Sequence, residues 1–250
     1  MKILPGYTWQ YLFSATNKNM KKTLIFYVII IFVAGFFLNA DFVYAHQPRM
    51  NEGNDIVQVQ NPEVSQAFYA VLSGQPQIYE INSDKSFVLY TNILSPQIKN
   101  ATSTNDFSIL IYEQKEGRDP GLLEVLAGPK FQWTEFHEPF AGDDYFKGPE
   151  FRQEVGAGKY LIKVIQPEFK GKYVLAIGEK EEFSVIEILK AIFLLPKEKK
   201  FFEKSIFSVF SGQAGSYLLI SIIIIVLAVL LIWIAVWLIR KRKMRTTKLC

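Results

Sequence analysis

Two stretches decide the fold: GKYLIKVI (Gly158–Ile165) and GKYVLAIG (Gly171–Gly178). In the first, Tyr160, Ile162 and Val164 alternate with Leu161, Lys163 and Ile165, the period of two that places neighbouring side chains on opposite faces of a strand. Each stretch opens on a glycine, and Asn82-Ser-Asp, Gly156-Ala-Gly and Lys170-Gly-Lys supply turns between strands. Working outward, the same pattern recurs in QIYEI (77–81), SFVLYTNIL (86–94) and DFSILIYEQ (106–114), and more weakly in IVQVQ (56–60) and LLEVLAG (122–128). No helical stretch alternates with these segments, so a parallel βαβ architecture is not expected. About seven to nine short strands predict a mainly β fold, an antiparallel β-sandwich over residues 46–180.

Charge separates the middle of the chain from its ends. The 250 residues carry a formal net charge of +4, yet residues 46–212 hold 18 Lys and Arg against 23 Asp and Glu. The basic excess sits at Lys2, Lys18, Lys21 and Lys22, and in Arg240, Lys241, Arg242, Lys243, Arg245 and Lys248. An acidic middle argues against nucleic acid as a partner, because phosphate neutralisation needs a basic patch. The one cysteine, Cys250, excludes an intramolecular disulfide and a cysteine zinc site, so the domain must fold by packing. Cys250 reads as a reduced thiol in a cytoplasmic tail.

The ends read as membrane signals. Residues 20–45 have the basic, apolar and small-residue order of a signal peptide, with Val43 and Ala45 at a cleavage site, or form an uncleaved anchor. Residues 1–19 are then an upstream extension or a misannotated start. Tyr217–Ile239 is 23 residues without a charge. At ~1.5 Å per residue this helix exceeds the ~30 Å hydrocarbon core. The basic tail, 240–250, follows at once and belongs on the cytoplasmic side. The expectation is a single-pass cell-membrane protein with 213–239 in the bilayer, its bulk extracytoplasmic and its C-terminus cytoplasmic.

The paired strands G-x-Y-x-x-x-V at Gly158–Val164 and G-x-Y-x-L-x-I at Gly171–Ile177 resemble the closing hairpin of bacterial pre-peptidase C-terminal domains. Those are small jelly-roll or Ig-like sandwiches on secreted and surface proteins. The resemblance spans roughly residues 77–178 and implies a non-catalytic accessory or binding module. The segment between Leu122 and Phe151 departs from that compact pattern.

This insert, FQWTEFHEPFAGDDYFKGPEF (131–151), concentrates the chemically suggestive residues. Trp133, Phe136 and Tyr145 beside Asp143 and Asp144 suit a ligand-binding platform for a glycan or peptide, since rings stack on sugars and carboxylates accept from hydroxyls. A calcium loop through Asp143 and Asp144 and a glycosidase carboxylate pair are weaker readings. The plainest reading is a long loop folded over one sandwich end and anchored by buried aromatics. No nucleophile–base pair, G-x-S-x-G or H-E-x-x-H motif appears, so no enzyme and no resident cofactor are expected.

Cleavage after Ala45 would expose His46 as an N-terminal residue, a copper chelate in combination with the only other histidine, His137, and Asp143 or Glu138. Ser184 and Glu187 form a capping-box pattern ahead of an apolar run, so a helix is expected from about Val185 until Pro196 stops or kinks it. Residues 181–212 as a whole read as amphipathic juxtamembrane helices that lie in the bilayer interface, pack on the sandwich or self-associate. The function expected is membrane-anchored binding or scaffolding at the cell envelope, with the lipid bilayer and an envelope glycan or protein as partners. A copper-binding protein and a glycan-binding or glycan-active one are the alternatives.

Overall fold

The computed structural model describes residues 46–51, 53, 56–99, 105–182 and 184–246. The leader, the upstream extension and Cys250 lie outside the described residues. The chain divides into a domain, Val43–Gly215, and a second unit whose described part is the helix from Ser216 onward.

Among the described residues the domain has eleven strands: β1 Gln47–Met50, β2 Ile56–Val59, β3 Gln66–Ser73, β4 Gln77–Ser83, β5 Phe87–Pro96, β6 Ser108–Gln114, β7 Gly121–Leu126, β8 Thr134–Glu138, β9 Asp143–Val155, β10 Gly158–Ile165 and β11 Lys170–Ile177. They form one sheet in the order β1-β3-β11-β5-β9-β8 and another in the order β2-β4-β10-β6-β7. Each of the seven expected strands is present within two residues of its bounds. The core between the sheets follows their alternation. Phe68, Leu89, Ile93, Tyr173, Leu175 and Ile177 of the first sheet face Tyr79, Ile81, Ile109, Ile111, Tyr160, Ile162 and Val164 of the second. Tyr173 lies fully inside this core, and its hydroxyl meets that of Tyr79 at 3.0 Å. A buried hydroxyl needs such a partner to offset desolvation.

The structure corrects the expected sandwich in three ways. First, it is not wholly antiparallel: β1 pairs parallel with β3, and β2 parallel with β4. Parallel neighbours require a crossover, and the chain provides one by alternating between sheets through its first four strands. Second, the insert is not a loop. β8 and β9 form a hairpin, and β9 continues along β5 from Tyr145 to Val155.

Third, β3 escapes the alternation rule because both its faces are covered. Phe68, Ala70 and Leu72 enter the inter-sheet core, whereas Ala67 and Tyr69 enter a second cluster with Leu94, Tyr145, Val174 and Phe202. The cover is α1, Val185–Phe201. Ser184 caps it by accepting from the Glu187 amide at 3.2 Å, as the capping pattern predicts. The Glu187 carboxylate instead accepts from Arg49 of β1 at 3.0 Å and from Lys190 at 2.7 Å. Pro196 does not end α1: it lies on the exposed side, and the helix continues to Phe201. Ala191 and Leu195 are buried, while Ile186, Leu189 and Phe193 face outward.

After α1 the chain turns at Glu203, whose φ is +56°. It then forms a short 3-10 helix, Ile206–Ser211, and enters helix α2, Gln213–Thr246. Gln213–Ile234 is long and apolar enough to cross a membrane, with a mean hydropathy of 3.2. The first residues of α2 are built into the domain. The amides of Gln213 and Ala214 donate to the carbonyls of Pro139 and Phe140, each at 3.0 Å, in the β8–β9 turn. Gly212 makes the approach possible, since a Cβ there would stand 2.4 Å from the Ala141 carbonyl carbon. Gly212→Ala must therefore push the two backbones apart, and overpacking of this kind costs about 1–3 kcal/mol. A lowered thermal midpoint for the full chain in detergent is the expected result, with Lys200→Ala, which is exposed, as the neutral comparison.

Candidate functional site

The β8–β9 hairpin gathers most of the residues that the sequence singles out, in register. Phe136 lies opposite Tyr145, His137 opposite Asp144, and Glu138 opposite Asp143. The turn between them is self-capped: Glu138 accepts from the amides of Phe140 and Ala141 at 2.9 and 2.7 Å. Gly142 has φ +74°, a left-handed conformation that glycine adopts without strain.

Strand alternation then splits the residues between two environments. Asp144 and His137 face outward and pair at 2.7 Å across the hairpin. Asp143 and Tyr145 face α1 and are buried, Asp143 completely. Trp133 packs across Gly148, so closely that a Cβ there would lie 2.6 Å from the indole ring, and its Nε1 donates to the Gly128 carbonyl at 2.9 Å. Phe136 is partly exposed and packs on the Tyr145 ring at 6.3 Å. The five residues therefore do not form one displayed platform. Asp143 and Tyr145 are buried inside the domain, Trp133 is partly buried against the core, and Phe136 and Asp144 retain a solvent-facing surface.

Burying Asp143 requires compensating charge, which comes from residues that sequence reasoning did not select. Lys199 of α1, itself fully buried, donates to Asp143 Oδ2 at 2.8 Å and to the Ala141 carbonyl. Lys204 donates to Asp143 Oδ1 at 2.8 Å. The Glu203 turn directs it there, with the Lys204 amide donating to the Lys199 carbonyl at 2.9 Å. Phe202 packs edge-on against Tyr145 at 5.1 Å, and the Lys204 ammonium sits 5.3 Å from the Phe202 ring.

Beside this ion cluster lies a small cavity of about 30 Å³, lined by His46, Tyr69, Glu138, Phe140, Tyr145 and Glu198. It has room for about one water and none for a substrate. The hydroxyls of Tyr69 and Tyr145 meet at 3.2 Å. Burial, reinforced by Asp143 and Glu138, raises the Glu198 carboxyl to about 8. Burial likewise raises Glu138 and lowers the His46 imidazole to about 4. His46 bonds the Ser65 hydroxyl through Nδ1, whereas His137 is engaged with Asp144 on the exposed face. Among the described residues no group of three or more His, Cys, Asp or Glu is placed to hold a metal ion.

The domain also carries an open groove of about 880 Å³, bounded by the edge strands β1 and β2 and by α1. Arg49, Gln58, Gln60, Gln66, Phe193 and Lys197 are among its lining residues. Its mix of amide, cationic and apolar side chains has the scale of a ligand-binding cleft.

No family model matches the sequence, and neither does any curated protein. Similar solved structures include the pre-peptidase C-terminal domain of a collagenase from Bacillus anthracis, at 8% identity and TM-score 0.31, covering 51% of this chain and 97% of that one. The Yersinia pseudotuberculosis-derived mitogen is similar at 10% identity and TM-score 0.30, over 48% and 91%. A beta-glucosidase from Paenibacillus barengoltzii is similar at 13% identity and TM-score 0.22, over 54% of this chain and 13% of that one. These are distant likenesses of fold.

Two outcomes follow from the ion cluster and its cavity. Lys199→Met leaves Asp143 buried with Lys204 alone and is expected to cost about 3 kcal/mol, the lower end of what breaking a buried pair costs. Combining it with Asp143→Leu should recover much of that loss in chemical denaturation. The pH dependence has a defined sign. A carboxyl raised from 4.5 to about 8 holds its proton in the folded state, so stability falls as pH rises from 4.5 to 8. A histidine lowered from 6.5 to about 4 withdraws stability as pH falls from 6.5 to 4. Above pH 6.5 only the carboxyl effect remains, so the thermal midpoint should decline between pH 6.5 and 8 and decline less in Glu198→Gln. Equal slopes in the two proteins would refute this.

Proposed function

We propose that the protein is a membrane-anchored extracytoplasmic β-sandwich that binds or scaffolds a partner at the cell envelope and carries out no chemistry of its own. One observation carries the reading: an apolar helix of spanning length, Gln213–Ile234, begins inside the sandwich domain and runs directly into a basic cluster at Arg240–Lys243. A helix satisfies its own backbone groups in lipid, and a basic cluster after a span stays on the cytoplasmic side. The domain then lies on the opposite side, as the leader at residues 20–45 also requires.

The binding role rests on shape. The groove along β1, β2 and α1 is open and of ligand size, whereas the cavity beneath α1 is small, about 30 Å³. β1 and β2 are edge strands in their sheets. A strand edge offers backbone donors and acceptors to an extended partner peptide, so an envelope protein fits this groove by strand addition. The segment 181–212 belongs to the same compact unit as the sandwich and leads into the candidate span.

The test uses the full chain, with epitope tags in the β6–β7 turn and at the C-terminus. Protease added to intact spheroplasts should destroy the first tag and spare the second, and carbonate washing should leave the protein in the membrane fraction. Protection of the domain tag in intact spheroplasts, or release by carbonate, would defeat the proposal.

A further inference from the structure

The 3-10 helix before the span presents an unusual surface. Of its residues, Ile206 is 63% exposed, Phe207 79% and Phe210 42%, while Val209 is buried. Val209 packs with Ala141, Leu195 and Ala214, which ties this short element to both the hairpin turn and α1. The segment is thus held in place by its one inward residue, and its three large apolar side chains are directed away from the core. In water such a cluster has no favourable surroundings, since exposed apolar surface forgoes the gain that burial brings.

We infer that this collar of Ile206, Phe207 and Phe210 inserts into the headgroup and acyl boundary of the bilayer, so that the sandwich is seated on the lipid surface rather than suspended above it. The inference rests on the proposed membrane anchoring and adds a second lipid contact to it. Its basis is covalent continuity. Only Ser211 and Gly212 separate Phe210 from Gln213, where the candidate span begins. The intervening backbone has little freedom: Gly212 is pressed against Phe140 and Ala141, and the Gln213 and Ala214 amides are bonded to the hairpin turn. Gly215 is equally confined, its Cβ position lying 1.9 Å from the Val209 carbonyl oxygen. A helix entering lipid from this point leaves the collar close in sequence to the interface.

The surrounding chemistry suits that depth. Phenylalanine and isoleucine favour the acyl boundary, and cationic side chains beside them favour anionic headgroups. Lys200, four residues before Lys204, is exposed near the end of α1. Lys204 is turned inward to Asp143 and so does not compete for headgroups. The Ser205 hydroxyl caps the 3-10 helix through the Phe207 amide, and the Ser208 and Ser211 hydroxyls donate to the carbonyls of Ser205 and Ser208. The local polar groups are thereby satisfied within the element, which lowers the cost of placing it against lipid.

Site-specific fluorescence tests this in the full chain. In a Cys250→Ser background, single cysteines at Phe207, at Val229 within the candidate span and at Val125 on β7 are labelled with an environment-sensitive dye. The protein is then reconstituted in vesicles of phosphatidylcholine and phosphatidylglycerol. The label at 207 should be quenched by a lipid carrying a shallow doxyl group and protected from aqueous iodide, while the label at 125 shows the reverse. The label at 229 should respond to a deep doxyl group. Should 229 respond while 207 behaves like 125, the span stands and the collar is refuted. Should 229 fail to respond, the anchoring itself fails. A label at 207 shielded from both iodide and lipid would mean that protein covers it, which also overturns the inference.

Discussion

The carboxylate of Asp143 is the constraint on which the arrangement turns. It lies fully inside the protein, held by one ammonium that is equally buried and by a second that is partly so. Such a cluster adds little net stability over well-packed apolar residues, because desolvation offsets the attraction. Its consequence is positional. Sliding α1 by one turn would leave Asp143 in a low-dielectric site without its partner, at a cost of several kcal/mol. The ion cluster therefore fixes where α1 ends. That end fixes Phe202 against Tyr145 and covers the outer face of β3, β11 and β5.

This placement gives the domain three layers and explains the chemistry at its acidic residues. Glu138 closes a turn, Asp143 anchors a helix, and Glu198 lies beside a cavity with room for one water, its carboxyl raised by burial and neighbouring charge. Two of these three acids thus have structural roles, Glu138 in the turn and Asp143 in holding α1. The aromatic residues divide in the same way. Trp133 and Tyr145 support the hairpin from within, and the rings that remain outside are Phe131 and Phe136.

The connection to the C-terminal helix follows from the same turn. Backbone of residues 139–142 receives backbone of residues 212–214, with Gly142 and Gly212 at the contact. Glycine at both positions allows an approach that any side chain would block.

Local physical signals were legible directly. Alternation in β10 reports one buried and one partly covered face, Ser184 reports a helix start, and an uncharged run after residue 216 reports an element suited to lipid. Each depends on residues adjacent in the chain, so sequence alone determined the seven strands, the cap and the apolar helix. Tertiary structure alone decided β3 and β9. Covering both faces of β3 erases its alternation, and nothing near it in sequence announces α1 more than a hundred residues later. It likewise decided that Asp143 is an anchor and Asp144 a surface residue. The two carboxylates are chemically identical and adjacent, and only the strand's pleat and two distant lysines, one on α1 and one just beyond it, distinguish them.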